Sequence, residues 1–209
     1  MLIAVDGPAA SGKGTIAKAL ARHYRLPHLD TGLLYRAVAC MVERMELDPA
    51  NEADAVAACG FDDSLLDDPA LRDDAVGQRA SIVSAHPLVR AALLQRQKRF
   101  ANQAGGAILD GRDIGTVIAP DADAKLFVKA TPQIRARRRH TELQARGDKT
   151  SFDTVLADIR ARDERDSSRS AAPLVMAKDA ALLDTSFLSI EMSVLKAIAL
   201  VDAQAAAKA

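Results

Sequence analysis

The chain has 209 residues, with 28 Lys and Arg residues against 28 Asp and Glu residues, so its formal net charge is zero. A chain of this length corresponds to one domain or to one core with insertions. Zero net charge argues against a uniformly basic surface that binds nucleic acid, and the 49% hydrophobic content argues against a disordered chain. Arginine supplies 19 of the 28 basic residues, which indicates either a genomic bias or a need for planar groups that bind phosphate.

The amino terminus reaches Asp6 after five residues without a basic region, so it does not resemble a signal peptide. No stretch approaches the roughly 20 apolar residues that a membrane span requires. Cys40 and Cys59 are isolated in the sequence and lie near no His cluster, which predicts reduced thiols with a structural role. We therefore expect a cytoplasmic protein that does not bind a membrane.

Short apolar runs alternate with helical patterns along the chain. The predicted strands occupy residues 2–6, 27–30, 107–110, 125–128 and 181–184. The predicted helices occupy residues 13–24, 33–45 and 87–103. Two further helices are predicted, one that Pro132 opens and a terminal one that begins near Ser189. This alternation predicts an α/β fold in which a five-stranded parallel sheet is flanked by helices. Ligands of such sheets bind beyond the carboxyl ends of the strands, where Asp residues recur in this sequence.

Two charged segments interrupt the alternation. Residues 51–74 contain eight acidic residues and one basic residue, whereas residues 135–169 contain nine Arg and one Lys against seven acidic residues. We therefore expect one domain over residues 1–209, whose sheet is interrupted by an acidic excursion and by an Arg-rich one.

The strongest motif lies between the first strand and the first helix. It consists of Gly7, Pro8, Ala9, Ala10, Ser11, Gly12, Lys13, Gly14 and Thr15, and it fits the pattern GxxxxGK in the required strand-to-helix context. The glycines let backbone amides surround a phosphate, and the helix N-terminus adds its positive end. Lys13 can reach the outer phosphates of a nucleoside triphosphate. The hydroxyl that usually follows the lysine is displaced to Thr15, which leaves the role of Thr15 as a metal ligand open.

A phosphate loop in so short a chain indicates a small kinase, which transfers a phosphoryl group from a nucleoside triphosphate to an acceptor. A hydroxyl acceptor needs a carboxylate base, and Asp30 at the end of the second strand is the candidate. A phosphate acceptor instead needs several Arg side chains and Mg²⁺ to offset the charge of two polyanions, and the Arg excess favours it. Two alternatives stay open: a small-molecule hydroxyl kinase of the shikimate type, and a nucleic-acid-binding ATPase that uses residues 135–169. The seven acidic residues within that segment count against the second alternative.

Four motifs together resemble the bacterial cytidylate kinases, a group of nucleoside monophosphate kinases. They are the GKGT ending of the phosphate loop at residues 12–15, DTGLLYR at 30–36, DGRDIGT at 110–116 and RDERDSSR at 162–169; residues 80–90 also fit. The resemblance implies the P-loop fold of these kinases, with an acceptor-binding insertion at 31–104 and a short lid with Arg-rich helices at 135–169. It also implies a monomer that uses ATP and Mg²⁺ to convert CMP and dCMP into CDP and dCDP in pyrimidine nucleotide metabolism.

The resemblance further implies a role for individual residues. The implied catalytic residues are Lys13, Arg112, Arg135, Arg139 and Arg162, and the implied acceptor-binding residues are Thr31, Arg36, Ser81, Arg90, Asp113, Arg162, Asp166 and Arg169. Asp113 can accept a hydrogen bond from the cytosine amine, while Ser81 and Arg90 can donate to the ring nitrogen and the carbonyl. Many family members have a longer, strand-rich segment where this chain has the short acidic one at 51–72.

Overall fold

A computed structural model of the protein describes residues 1–208. Within these residues the chain forms five β-strands and eight α-helices, besides short helical turns. The strands are β1 (Leu2–Asp6), β2 (His28–Asp30), β3 (Ala107–Gly111), β4 (Ala124–Lys129) and β5 (Ala181–Asp184). The helices are α1 (Lys13–Tyr24), α2 (Thr31–Arg44), α3 (Glu52–Ala57), α4 (Asp74–Val83), α5 (Pro87–Ala101), α6 (Pro132–Ala145), α7 (Phe152–Ser168) and α8 (Ile190–Lys208).

The strands form one parallel sheet in the order β2-β3-β1-β4-β5. Ile3 and Val5 of β1 face a core that α1 and α8 complete, whereas Ala4 faces a second core shared with α5. Both faces of the central strand are therefore covered, as the continuous apolar run of β1 requires. This arrangement confirms the predicted α/β fold with a five-stranded parallel sheet and flanking helices.

The segment between β2 and β3 is helical and has a core of its own, built from residues of α2, α4 and α5. The acidic part of this segment consists of α3, the 3-10 turns Asp63–Asp67 and Pro69–Arg72, and the start of α4. Asp62 and Asp68 precede the two 3-10 turns, and their carboxylates accept the N–H groups of Ser64 and Ala70. Side-chain oxygens at helix starts satisfy N–H groups that have no partner within the helix. Asp62 and Asp68 therefore serve local capping, and strands are absent from the described residues of this segment.

Helices α6 and α7 pack against each other through a small apolar cluster that includes Ala136, Leu143, Val155 and Ile159. Pro132 occupies the first turn of α6, where its missing N–H group is tolerated. Helix α7 then returns toward the sheet and brings its last two turns to the carboxyl ends of the strands, where the candidate site lies.

The structure also bears on the expected free thiols and on the expected absence of a membrane span. Cys40 is buried in α2, and Cys59 donates a weak hydrogen bond to the Ala55 carbonyl; both thiols are free. Across residues 1–208, no helix combines the length and the apolar character that crossing a bilayer demands.

Gly7 directly follows β1 with φ +153°, and a Cβ at this position would overlap the Val128 carbonyl oxygen of the neighbouring strand. We expect Gly7→Ala to lower the free energy of unfolding by about 2–3 kcal/mol, because neither backbone can move without distorting the sheet. Chemical denaturation measures this change. Gly60→Ala is the matched control, since nothing lies within 4 Å of its added Cβ, and a similar loss in both variants would contradict the explanation.

Candidate active site

The phosphate loop, residues 7–12, joins β1 to α1 at the carboxyl edge of the sheet. Gly12 is the N-cap of α1 in a left-handed conformation, and in the described part of the chain no side chain caps the first N–H groups. The loop carbonyls are bound from outside the turn: Arg135 donates to the Ala9 oxygen at 3.2 Å, and Thr185 Oγ1 donates to the Ser11 oxygen at 2.9 Å. The uncapped amides at the positive end of α1 therefore remain available to an anion.

Two cavities meet at this loop. The larger, a donor cleft of about 1140 Å³, is bordered by the loop, by α6 and by the start of α8. The smaller, an acceptor pocket of about 180 Å³, lies between the loop, α2, the turn after β3 and α7. Lys13, Asp30 and Arg36 line both cavities, so they mark the point where a donor and an acceptor would face each other.

Lys13 stands at this junction with two carboxylates nearby. Its Nζ lies 3.9 Å from Asp110 Oδ2. Burial lowers the pKa of Lys13 to about 8, and the positive charge of Arg112 contributes to this shift. Burial raises the pKa of Asp30, as does the negative charge of Asp110. Asp30 also accepts the Gly32 N–H group at 3.0 Å and thereby caps α2.

Arg36, Arg112 and Arg162 form what we call the arginine cluster of the acceptor pocket. Burial lowers the pKa of Arg162 to about 10, and repulsion by Arg112 lowers it further. Burial also lowers the pKa of Arg36, and the charges of Arg139 and Arg112 act in the same direction. The buried Nε of Arg162 finds no hydrogen-bond partner among residues 1–208. A buried cationic group that lacks a partner is costly unless an anion joins it, so the free donor of Arg162 favours the binding of an anion in this pocket.

The charge of the pocket lining agrees with this conclusion. Six basic side chains line the acceptor pocket against three carboxylates, which leaves a formal surplus of three positive charges. One of the carboxylates, Asp166, accepts a hydrogen bond from Arg112 Nε at 2.8 Å. Burial alone would raise the pKa of Asp166, but the charges of Arg112 and Arg162 outweigh burial and lower the pKa. Asp166 therefore stays ionised and orients the cluster.

The lining of the acceptor pocket also holds a second set of charged groups. Arg90 donates to Asp113 at 2.5 Å, and its guanidinium lies 5.3 Å from the centre of the Tyr35 ring. Arg169 lies 3.9 Å from the other oxygen of Asp113 and donates through Nε to the Ala172 carbonyl at 2.8 Å. Donor and acceptor groups thus stand side by side, in the arrangement that recognition of a heterocyclic base edge requires.

Most of the predicted site residues come together around the two cavities. Of the acceptor-binding set, Thr31, Arg36, Arg90, Asp113, Arg162, Asp166 and Arg169 line the acceptor pocket. Thr31 also donates to the Asp110 carbonyl at 2.8 Å. Ser81 is buried beside the pocket rather than in its lining, and its hydroxyl accepts a hydrogen bond from Arg165 at 3.2 Å.

The predicted catalytic arginines separate into two groups. Arg112 and Arg162 line the acceptor pocket, and Arg139 lines the donor cleft, where it pairs with Asp74 and Glu142. Arg135 lines neither cavity. Its guanidinium forms two hydrogen bonds with Asp163, of 2.9 and 2.5 Å, besides its bond to the phosphate loop. In this structure Arg135 therefore holds the phosphate loop and lies outside the lining of both cavities.

Sequence reasoning missed several residues that shape the site. Arg138 lines the donor cleft and donates to the Thr185 carbonyl at 2.6 Å, and Thr185 in turn holds the phosphate loop. Asp110 binds His28 at 2.7 Å and lies beside Lys13. The available signal for Asp110 was its position at the end of a strand. Arg138 carried no signal that separates it from the neighbouring arginines.

A divalent cation would find few protein ligands here. Across the described residues, no group of three or more His, Cys, Asp or Glu side chains is placed to hold a metal. Thr15 and Asp30 line the donor cleft, and Asp110 lies beside it. Two neighbouring carboxylates with one nearby lysine fit the way Mg²⁺ is bound in nucleotide sites, where phosphates and water supply most ligands.

Comparisons with known proteins agree with this geometry. The family model for cytidylate kinase matches residues 3–203. The chain belongs to the cytidylate kinase family. The cytidylate kinase of Xanthobacter autotrophicus is 58% identical over 208 residues, which covers 100% of both chains. That of Azorhizobium caulinodans is 58% identical over 204 residues, which covers 97% of this chain and 98% of the relative. The resemblance inferred from the four motifs is therefore confirmed.

One solved structure supports the fold alone. The crystal structure of an uncharacterized protein from Eubacterium ventriosum aligns with a TM-score of 0.56 at 15% identity. The alignment covers 97% of this chain and 98% of that one, so the similarity extends over the sheet and its flanking helices.

The lowered pKa of Lys13 predicts a pH dependence of donor binding. The lysine is charged below about pH 8 and neutral above it in the free protein, so we expect the affinity for ATP to decline as the pH rises through about 8. Calorimetric titration with ATP between about pH 6 and 10 measures the decline. Lys13→Ala should remove it, whereas Lys18→Ala, on the exposed surface of the same cleft, should retain it. A wild-type affinity that stays constant to about pH 9.5 would contradict this assignment.

Proposed function

We propose that the protein transfers the γ-phosphoryl group of ATP to CMP and dCMP, which yields CDP and dCDP. The observation that carries the proposal is the arginine cluster, Arg36, Arg112 and Arg162, which lines one pocket together with Lys13 and the Arg90–Asp113 pair. A nucleotide whose phosphate relieves the repulsion within this cluster would direct its base toward Arg90 and Asp113. Its phosphate would then face the outermost phosphate of a donor bound at Lys13.

The donor side binds and orients ATP. The uncapped amides of α1 and the Lys13 ammonium contact the outer phosphates, and Arg139 adds a further charge from α6. Thr15, Asp30 and Asp110 would hold Mg²⁺ together with the nucleotide phosphates, and the cation would offset part of the negative charge of the donor.

The acceptor side supplies charge neutralisation. The attacking atom is an oxygen of the acceptor's own phosphate, which is already ionised, so the reaction needs no general base. The difficulty is the approach of two polyanions, and Arg112 and Arg162 lie where that charge accumulates. Arginine suits this task because its planar group binds two phosphate oxygens at once.

Base selection follows from hydrogen-bond polarity. Asp113 accepts a hydrogen bond from the exocyclic amine of cytosine, and Arg90 donates to its carbonyl or ring nitrogen. Uracil would place a carbonyl oxygen against the Asp113 carboxylate, which costs a few kcal/mol in a dry site. Asp166 and Arg169 remain our proposed contacts for the sugar and for the phosphate or base. Ser81 accepts a hydrogen bond from Arg165, which leaves its own O–H group available to donate to the base.

The alternative functions are not favoured. A hydroxyl kinase with Asp30 as base would leave the arginine cluster and the Arg90–Asp113 pair without a purpose. A nucleic-acid-binding ATPase would need a surplus of free arginines along residues 135–169, but seven acidic residues are interspersed there, and Arg135 and Arg138 are bound to Asp163 and Thr185. We further propose that the protein is a cytoplasmic monomer of pyrimidine nucleotide metabolism, with residues 31–104 as the acceptor-binding insertion and residues 135–169 as the lid.

Lys13→Ala tests the assignment of the donor side. We expect turnover to fall by at least about a hundredfold, because Lys13 stabilises charge that develops during transfer, while the affinity for CMP stays within about threefold. A coupled assay with ATP and, in turn, CMP, dCMP, UMP, AMP, GMP and shikimate measures turnover, and calorimetry measures CMP binding. Loss of CMP binding at an unchanged unfolding temperature would contradict the division into donor and acceptor sides.

Asp113→Ala tests the acceptor side. We expect the ratio of kcat/KM for CMP to that for UMP to fall by roughly tenfold or more, because the variant loses the acceptor of the cytosine amine. Asp121→Ala is the matched control, since Asp121 is exposed and lines neither cavity. An unchanged ratio in Asp113→Ala would refute the role of Asp113 in reading the base.

A further inference from the structure

The Asp6 carboxylate is buried, yet it lines neither the acceptor pocket nor the donor cleft. It ends β1 immediately before the phosphate loop and has 5% of its surface exposed. One oxygen accepts the Ile114 N–H group and the other accepts the Gly115 N–H group, both at 2.8 Å. Asp6 thus connects the phosphate loop to a segment more than 100 residues further along the chain.

That segment carries two residues of the acceptor pocket. Strand β3 ends at Gly111, Arg112 and Asp113 follow, and a short helical turn spans Ile114–Ile118. The N-cap residue of such a turn usually satisfies the first N–H groups with its own side chain, and Asp is among the best residues for this task. Here the N-cap residue is Asp113, but its side chain does not accept a hydrogen bond from these N–H groups.

Asp113 does not cap the turn because its carboxylate is directed toward two arginines. One of its oxygens accepts a hydrogen bond from Arg90, and the other faces Arg169. Because Asp113 is engaged in the pocket, the amides of the turn need another acceptor, and Asp6 supplies it from the neighbouring strand.

We propose that Asp6 is a positioning residue for acceptor recognition, because it caps the turn after β3 in place of Asp113 and so leaves the Asp113 carboxylate free to read the base. This inference rests on the proposed function, in which Asp113 selects cytosine. The same two hydrogen bonds fix the backbone next to Arg112, a member of the arginine cluster.

A second observation agrees with this role. Burial raises the pKa of Asp6 to about 6, even though the two N–H donors lower it. Its ionised form is therefore less favourable in the folded protein than in water. A buried carboxylate contributes little to the stability of the fold. The turn, however, needs two acceptor oxygens from one small side chain, and an Asp carboxylate supplies them.

Asp6→Asn tests the proposal with little change in shape. The amide keeps one acceptor oxygen but presents an NH₂ group to the second N–H group, so the turn loses one of its two bonds. We expect the KM for CMP to rise by about tenfold and the CMP-to-UMP ratio of kcat/KM to fall by about tenfold, while the KM for ATP stays within about twofold. Asp123→Asn is the matched control, because Asp123 accepts the Leu2 N–H group at the opposite end of β1 and lines neither cavity.

Gly115→Ala, in the turn that Asp6 contacts, provides a second test if Asp6→Asn does not fold. In Gly115→Ala the added Cβ would lie 3.4 Å from Asp6 Oδ2 and 3.2 Å from Lys125 Cδ, which pushes the turn away from an unchanged carboxylate. We expect the same loss of base selectivity in a milder form. A merely structural role would lower the active fraction and leave the KM for CMP and the base selectivity unchanged.

Asp113→Ala, measured in parallel, distinguishes a failure of base reading by Asp113 from a failure of the positioning role of Asp6. If both Asp113→Ala and Asp6→Asn lower the CMP-to-UMP ratio, the positioning role is supported. If only Asp113→Ala lowers it, the role of Asp6 is overturned and the proposed function stands. If Asp113→Ala leaves the ratio unchanged, base reading by Asp113 fails, and the inference for Asp6 fails with it.

Discussion

Repulsion among buried arginines is the constraint on which the rest of the site depends. Burial and the charges of Arg112 and Arg36 lower the pKa of Arg162, whereas Asp166, Asp110 and Asp30 outweigh burial and raise the pKa of Arg112. Such an arrangement persists only where the surrounding structure enforces it, because isolated buried charges are expensive. A bound phosphate would remove much of this cost. Binding of the acceptor and neutralisation of its charge for transfer are therefore two consequences of one interaction.

The surrounding structure holds the arginines in place through carboxylates of α7. Asp166 holds Arg112, while Asp163 holds Arg135 against the phosphate loop. Arg135 thus serves as framework, whereas the pocket arginines differ in how many of their donors are already bound. Arg162 retains a free donor, since its Nε has no partner within residues 1–208. This difference explains why a chain rich in arginine can still present only a few of them to a substrate.

The sequence was sufficient to predict the sheet and the phosphate loop, because these depend on local patterns, whereas most of the pocket lining was predicted only through the resemblance to the cytidylate kinases. Apolar runs predict strands, and the GxxxxGK pattern at 7–13 predicts a phosphate site wherever a strand precedes it and a helix follows. The orientation of Arg135 depends instead on Asp163, in another helix, and no local pattern encodes that pairing. The partners of Asp6 lie 108 and 109 residues away in sequence. Such contacts exist only once the strands are adjacent, so sequence spacing could not reveal them.

The zero net charge of the chain has a structural explanation. Some acidic residues of the insertion are used locally, as Asp62 and Asp68 show by capping 3-10 turns. The acceptor pocket keeps a surplus of positive charge because fewer carboxylates than basic groups enter its lining. Electrostatic interactions between exposed charges are screened over about 10 Å in salt solution, whereas buried groups feel their neighbours directly. The anion therefore responds to the local arrangement of charges, and a neutral chain can hold a strongly cationic site.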